Sequence, residues 1–136
     1  MRTHYRVVIV GAGTGGISVA ARLLREKHYL RGDILLIDPA TTHYYQPLWT
    51  LVGAGIVKKE ESARTMDSLI PDGAEWLQDH VTTFDPEKNQ IETSHHGRIQ
   101  YDFLVVSPGI EIDWGKIKGL QESLGTKGVC SNYSYE

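Results

Sequence analysis

The sequence predicts an α/β fold, a parallel sheet backed by a helix and interrupted by an antiparallel β-meander. Three observations carry the prediction. Tyr5 to Val10 reads as a buried strand whose Val7-Val8-Ile9-Val10 is continuously apolar and β-branched, as suits a parallel strand covered on both faces. It opens directly into a glycine-rich turn followed by residues at helical spacing. From Glu75 to Val106 the pattern switches to short strand-like runs separated by turn residues.

The first strand, with Val7, Val8, Ile9 and Val10 at its heart, ends at Gly11-Ala12-Gly13-Thr14-Gly15-Gly16. This G-x-G-x-x-G lies between a strand and a helix, the context that gives the spacing meaning in a chain with 14 glycines. Gly11 makes the tight turn, Gly13 lets backbone approach a pyrophosphate, and Gly16 lets the helix sit close to the strand. The helix that starts at Thr14 and Gly15 aims its free N–H groups and positive dipole end at a diphosphate. A dinucleotide is the expected ligand.

That helix repeats apolar residues at Ile17, Ala20, Ala21 and Leu24, while Arg22, Arg25, Glu26 and Lys27 look outward. A second strand, Ile34 to Ile37, ends in Asp38, about 20 residues beyond Gly16, where a ribose-binding acid belongs. Its carboxylate accepts hydrogen bonds from both ribose hydroxyls and repels a 2′-phosphate, which disfavours NADP and leaves FAD and NAD open. Asp33, at the other end of the strand, reads as a solvated loop residue.

The segment His43-Tyr44-Tyr45-Gln46-Pro47-Leu48-Trp49 is aromatic and poor in charge, so it packs against something flat or apolar. Ser62 to Ile70 predicts a short helix with Met66, Leu69 and Ile70 inward, stopped by Pro71 and Gly73. Trp76 to Phe84 then reads as one strand, Asp85 to Asn89 as a turn and Gln90 to Thr93 as a second strand. After a turn at His95-His96-Gly97, Arg98 to Val106 is the third, ending at Ser107-Pro108-Gly109.

Composition is that of an ordinary soluble globular domain, with 40% hydrophobic and 23% charged residues. A net charge of −3 with no basic run offers no footprint for nucleic acid. No apolar run approaches the length that spans a bilayer, and the N-terminus lacks a signal-peptide layout. The single cysteine, Cys130, cannot form an internal disulfide, so a cytosolic location is expected. The six histidines are scattered or adjacent on a turn and predict no metal site, and the three tryptophans read as packing residues.

The order of a βαβ unit, a meander and an apolar strand ending in a small-residue turn resembles the FAD domain of the two-dinucleotide-binding-domain flavoproteins. In those proteins the closing turn is usually Ala-Thr-Gly; Ser107-Pro108-Gly109 keeps the small residues and loses one backbone donor at Pro108. A cysteine pair like that of the dithiol branch is missing before Cys130. The sharper resemblance, across essentially the whole chain, is to sulfide:quinone oxidoreductases. It rests on residues 43–55, on Tyr101 to Gly109, on Asp113-Trp114-Gly115-Lys116-Ile117-Lys118-Gly119-Leu120 and on Cys130-Ser131-Asn132-Tyr133-Ser134.

The resemblance implies a Rossmann-like FAD-binding domain over residues 1–136, apparently truncated, matching about the first third of such an enzyme. It implies FAD with its diphosphate over Gly11 to Gly16, its ribose on Asp38 and its adenine beside backbone near Val81. Gln46 reaches the cofactor, and Ser107 to Gly109 close over the flavin side. It also implies sulfide and quinone as partners of the whole enzyme, at the cytoplasmic face of a membrane. The cysteines that handle sulfur, the second nucleotide-binding domain and the peripheral membrane contact lie outside these residues. No catalytic or metal-binding residue is expected within them, and Cys130 reads as a plain thiol. Two other readings stay open, an NADH-dependent quinone or ferredoxin reductase of the same superfamily and a non-catalytic nucleotide-binding module. An open edge on the incomplete sheet predicts a homodimer or poor solubility for the isolated chain.

Overall fold

The computed structural model describes residues 2–135. They form two compact units, one of residues 2–43 and 64–109, the other of residues 44–63 and 110–135.

The first unit is built on strands β1 (His4–Val10), β2 (Ile34–Ile37), β5 (Glu75–Leu77), β6 (Val81–Asp85), β7 (Gln90–Thr93) and β8 (Gly97–Val106). They hydrogen-bond in the order β5-β2-β1-β8-β7-β6. The β5, β2, β1 and β8 strands run parallel, Val7 opposite both Ile34 and Phe103. Antiparallel pairing joins β8 to β7 and β7 to β6. The long β8 serves both halves, and its Gln100 is opposite His4 on one side and Gln90 on the other.

This sheet cannot be flat. Its outer strands, β5 and β6, are five spacings apart in the order, about 24 Å if flat, yet Leu77 and Val81 are joined by only Gln78, Asp79 and His80. Four residue steps reach about 14 Å. The meander therefore rolls over the parallel strands, and one apolar cluster fills the space between them: Val8, Val10, Leu35, Ile37 and Leu77 from below, Ile91, Ile99 and Tyr101 from above. The alternate residues, Val7, Ile9, Ile34 and Leu36, form a second cluster with α1 (Thr14–Glu26) on the opposite face. The result is a meander, a parallel sheet and a helix in three layers.

Several sequence expectations change. The proposed single strand from Trp76 to Phe84 is two strands in different layers, broken where Asp79 is buried. The proposed helix from Ser62 to Ile70 is instead a 3-10 turn, strand β4 (Ala63–Thr65) and a second 3-10 turn. Pairing of β4 with β3 (Thr42–Tyr44) outweighs the helical spacing of its apolar residues, although Met66 is buried as expected. On α1 the buried residues are Gly16, Ala20 and Leu24, while Ala21 is exposed and Leu23 packs inward in its place. Asp33 is no loose loop residue: it accepts bonds from the Arg2 side chain at 2.7 Å and the Arg6 N–H at 3.2 Å, and these hold its carboxyl below the usual range despite partial burial.

In the second unit the aromatic segment forms a 3-10 turn, Gln46–Leu48, leading into α2 (Trp49–Gly53), and the later residues include α3 (Leu120–Ser123). Tyr44 and Tyr135 stack at 4.3 Å, Lys59 lies 4.9 Å from the Tyr135 ring, and the Trp49 indole donates to the buried Ser62 hydroxyl at 3.0 Å. Among the described residues no helix is long and apolar enough to cross a membrane.

Candidate functional site at the carboxyl edge of the parallel sheet

In a parallel α/β sheet, ligands bind beyond the carboxyl ends of the strands, where loops are free to diverge. Here four such ends are tied side by side by backbone bonds. The Gly11 N–H donates to the Ile37 carbonyl at 2.8 Å, Asp38 N–H to Leu77 carbonyl at 3.1 Å, and Ser107 N–H to Val10 carbonyl at 2.8 Å. The glycine turn, Asp38, the crossover after Leu77 and the Ser107 turn therefore share one rim.

The glycines of the turn divide by what surrounds them. Gly11 has φ +97°, and a Cβ there would fall 2.2 Å from the Ser107 carbonyl oxygen. At Gly16 a Cβ would fall 1.9 Å from the Gly11 carbonyl oxygen. Both positions are closed by protein. Gly13 has open space beyond it and an ordinary φ of −72°, so nothing in the fold requires glycine there. Its missing side chain leaves a cradle facing outward, as close approach of a ligand demands. The start of α1 has no side-chain cap and no acidic residue in its first turn. Thr14 and Gly15 are exposed beside this opening, with Gly15 3.6 Å from the Ser107 side chain as measured to its missing Cβ.

Asp38 stands at the end of β2, and its carboxylate is tied to backbone on both sides. One carboxylate oxygen accepts the Ala12 N–H at 2.7 Å and the other accepts the Ala40 N–H at 2.8 Å. It thus fixes the shape of the glycine turn, while each oxygen retains a lone pair for a further donor. Ser107 adds hydroxyl contacts to the Val10 and Gly11 carbonyls at 3.3 and 3.4 Å. Gly109, with φ +79°, turns the chain away from the rim.

Val81 begins β6, on the free edge of the rolled sheet, and packs against the cluster between the layers. The crossover that leads to it is anchored to the Asp38 corner: the Gln78 amide donates to the Pro39 carbonyl at 3.2 Å, and the Trp76 indole to the Asp38 carbonyl at 3.1 Å. Gln46 belongs to the second unit, where it opens a 3-10 turn and is exposed. The structure thus brings Gly11 to Gly16, Asp38, Ser107 and Gly109 to one rim, with Val81 four residues beyond it.

Sequence reasoning missed the buried carboxylate of Asp79. Its Oδ1 accepts the His80 N–H at 2.8 Å and meets His95 Nδ1 at 2.9 Å; its Oδ2 accepts the His95 and His96 N–H groups and meets His96 Nδ1 at 2.7 Å. These bonds outweigh burial and hold the carboxyl far below its usual range. A polar triplet, Gln78-Asp79-His80, between two apolar runs, with adjacent histidines at the later turn after Thr93, was the available signal. Cys130 is an exposed free thiol.

Residues 5–133 match the pyridine nucleotide-disulphide oxidoreductase family. Over 131 residues the chain is 50% identical to the mitochondrial sulfide:quinone oxidoreductase of Dictyostelium discoideum, a match covering 96% of this chain and 29% of that protein. It is 30% identical over 118 residues to a type II NADH:quinone oxidoreductase of Staphylococcus haemolyticus, covering 86% and 29% respectively. The crystal structure of the sulfide:quinone oxidoreductase from Aquifex aeolicus has the same fold, with a TM-score of 0.73 at 24% identity over 98% of this chain and 30% of that one. The chain thus spans a little under a third of the relatives it matches.

Proposed function

Because the chain belongs to the pyridine nucleotide-disulphide oxidoreductase family, we propose that residues 1–136 are the FAD-binding portion of a flavoprotein that oxidises sulfide and reduces quinone. The observation that carries this reading is the open Gly13 cradle beside Asp38, set in a sequence half identical to a sulfide:quinone oxidoreductase.

The residues present fit FAD. The uncapped start of α1 gives N–H groups and a positive dipole end for the diphosphate, with Gly13 leaving room for it. Asp38 has lone pairs left for the ribose hydroxyls, and the backbone at Val81 takes the adenine. Ser107 to Gly109 flank the flavin side. When bound, FAD supplies a two-electron acceptor, so that sulfide sulfur is oxidised and the quinone is reduced. This chain holds and orients the cofactor, and the chemistry on sulfide and quinone is assigned to the remainder of the longer protein. The reading places the active protein at the cytoplasmic face of a membrane and includes a homodimer through an open sheet edge, which a clean monomer in sedimentation at high concentration removes.

The 30% identity to a type II NADH:quinone oxidoreductase favours a second reading, in which the same cradle serves electrons from NADH. Anaerobic visible spectroscopy of the full-length protein separates the two. Bleaching of the flavin band by sulfide, reversed by quinone, is the expected result. Bleaching by NADH alone moves the assignment to the second reading, and absence of a flavin band overturns the FAD site at Gly11 to Asp38.

A further inference from the structure

We propose that Asp79, through His95 and His96, is the positioning residue for the adenine end of this site, setting the backbone edge at Val81 that reads the base. The inference rests on the FAD reading above and assigns a role to a cluster that reading leaves unused.

The segment between Leu77 and Val81 must carry the chain from the parallel layer to the meander in three residues. So short a link has no regular ladder of its own and needs an anchor. Asp79 provides it from the middle. The side chain is buried, and five hydrogen atoms from three histidines converge on its two oxygens. An ionised carboxylate only accepts hydrogen bonds, so both Nδ1 atoms carry protons and both Nε2 atoms face outward on exposed rings. The crossover is thereby clamped to the turn between β7 and β8.

A second observation points to the same edge. The pairing of β6 with β7 shifts register between Val81 and Thr83, directly after the clamped segment. Such shifts bend a strand and re-aim its peptide groups, and they concentrate beside binding sites. The His80 carbonyl accepts the Ser94 N–H at 3.0 Å, so Val81 enters the strand already held opposite Thr93. A purine edge is read by an N–H and a carbonyl at fixed spacing, and a drift of about 1 Å is enough to lose both bonds. Asp79 holds that spacing without touching the base.

FAD differs from FMN by an AMP half, so the ratio of their affinities for the full-length apoprotein reads the base, ribose and outer phosphate together against the flavin half. Asp79→Asn is expected to weaken FAD about tenfold and leave FMN unchanged, since an amide cannot accept at both ends. His96→Ala shifts the ratio in the same direction, and His96→Asn restores it, because the asparagine amide donates from near the Nδ1 position. Should Asp79→Asn fail to fold by circular dichroism, the two His96 variants carry the test. FAD and FMN falling together, or a ratio unchanged in His96→Ala, overturns the inference. A wild-type protein that binds no FAD overturns the cofactor reading and the inference together, whereas wild-type binding with an unmoved ratio overturns the inference alone.

Discussion

At the residue scale the glycine turn separates what folding needs from what a ligand needs. Gly11 and Gly16 are closed in by carbonyl oxygens 2.2 and 1.9 Å from where a Cβ would stand, so a methyl group there must push backbone apart. Gly16→Ala is expected to lower stability by roughly 3 kcal/mol, with loss of cofactor as a consequence. Gly13→Ala meets no atom within 4 Å and changes stability by under about 1 kcal/mol, the range of an uncharged change at a helix cap. Its effect falls on the diphosphate, with an expected loss in FAD affinity of tenfold or more. Urea denaturation beside FAD titration of the two variants checks the contrast; equal stability losses would show that Gly13 is a folding glycine like its neighbours.

Between elements, one hydrogen bond from a buried tyrosine to an exposed glutamate ties the outer parallel strand to the centre of the sheet. The Tyr5 hydroxyl of β1 donates to the Glu75 carboxylate of β5 at 2.6 Å. Burial, and then the Glu75 carboxylate, push its pKa up to about 12. The folded protein therefore keeps this proton more tightly than the unfolded chain, whose tyrosine titrates near 10. The associated stability is complete below pH 10 and is lost as pH rises from 10 to 12, by about 3 kcal/mol in all. Urea midpoints between pH 8 and 12 should fall steeply for the wild type. In Tyr5→Phe they should fall less, from a neutral value lowered by about 1 kcal/mol for the missing hydrogen bond. The same elements show what the sequence made legible. The first strand, its helix and Ile34 to Ile37 were readable because their own apolar spacing agrees with their burial, whichever strands they pair with. Asp38 and the glycines followed from that order. Long-range partners were invisible: β4 is a strand because β3 lies beside it, and Asp79 breaks a strand because two histidines at a distant turn receive it. Gln78, Asp79 and His80 did mark the break by their polarity, since such residues are poor in strand interiors.

For the whole molecule, the decisive property is that the rim is made of strand ends distant in sequence but joined by hydrogen bonds. The ends of β1, β2, β5 and β8 are bonded to one another through Gly11, Asp38 and Ser107, and the crossover from β5 leads into the meander. A ligand lying along that rim restrains all of them at once, because opening any one strand end would release part of its contact surface. Binding to the native state alone stabilises it by about 2.7 kcal/mol at a ligand concentration 100 times its dissociation constant. If the ligand is an extended FAD, that gain is distributed. Amide hydrogen exchange should slow at Ala12 to Gly16, at the Asp38 to Ala40 corner, at Val81 and Thr82 and at Ser107 to Gly109 together. A diphosphate alone should slow only the first group, since its contacts end at the start of α1. Protection by FAD confined to Ala12 to Gly16 would reduce the site to an anion-binding turn, with neither Asp38 nor Val81 taking part. Protection at all four places would make the rolled sheet the cofactor platform, its three-residue crossover linking the ribose corner to the base.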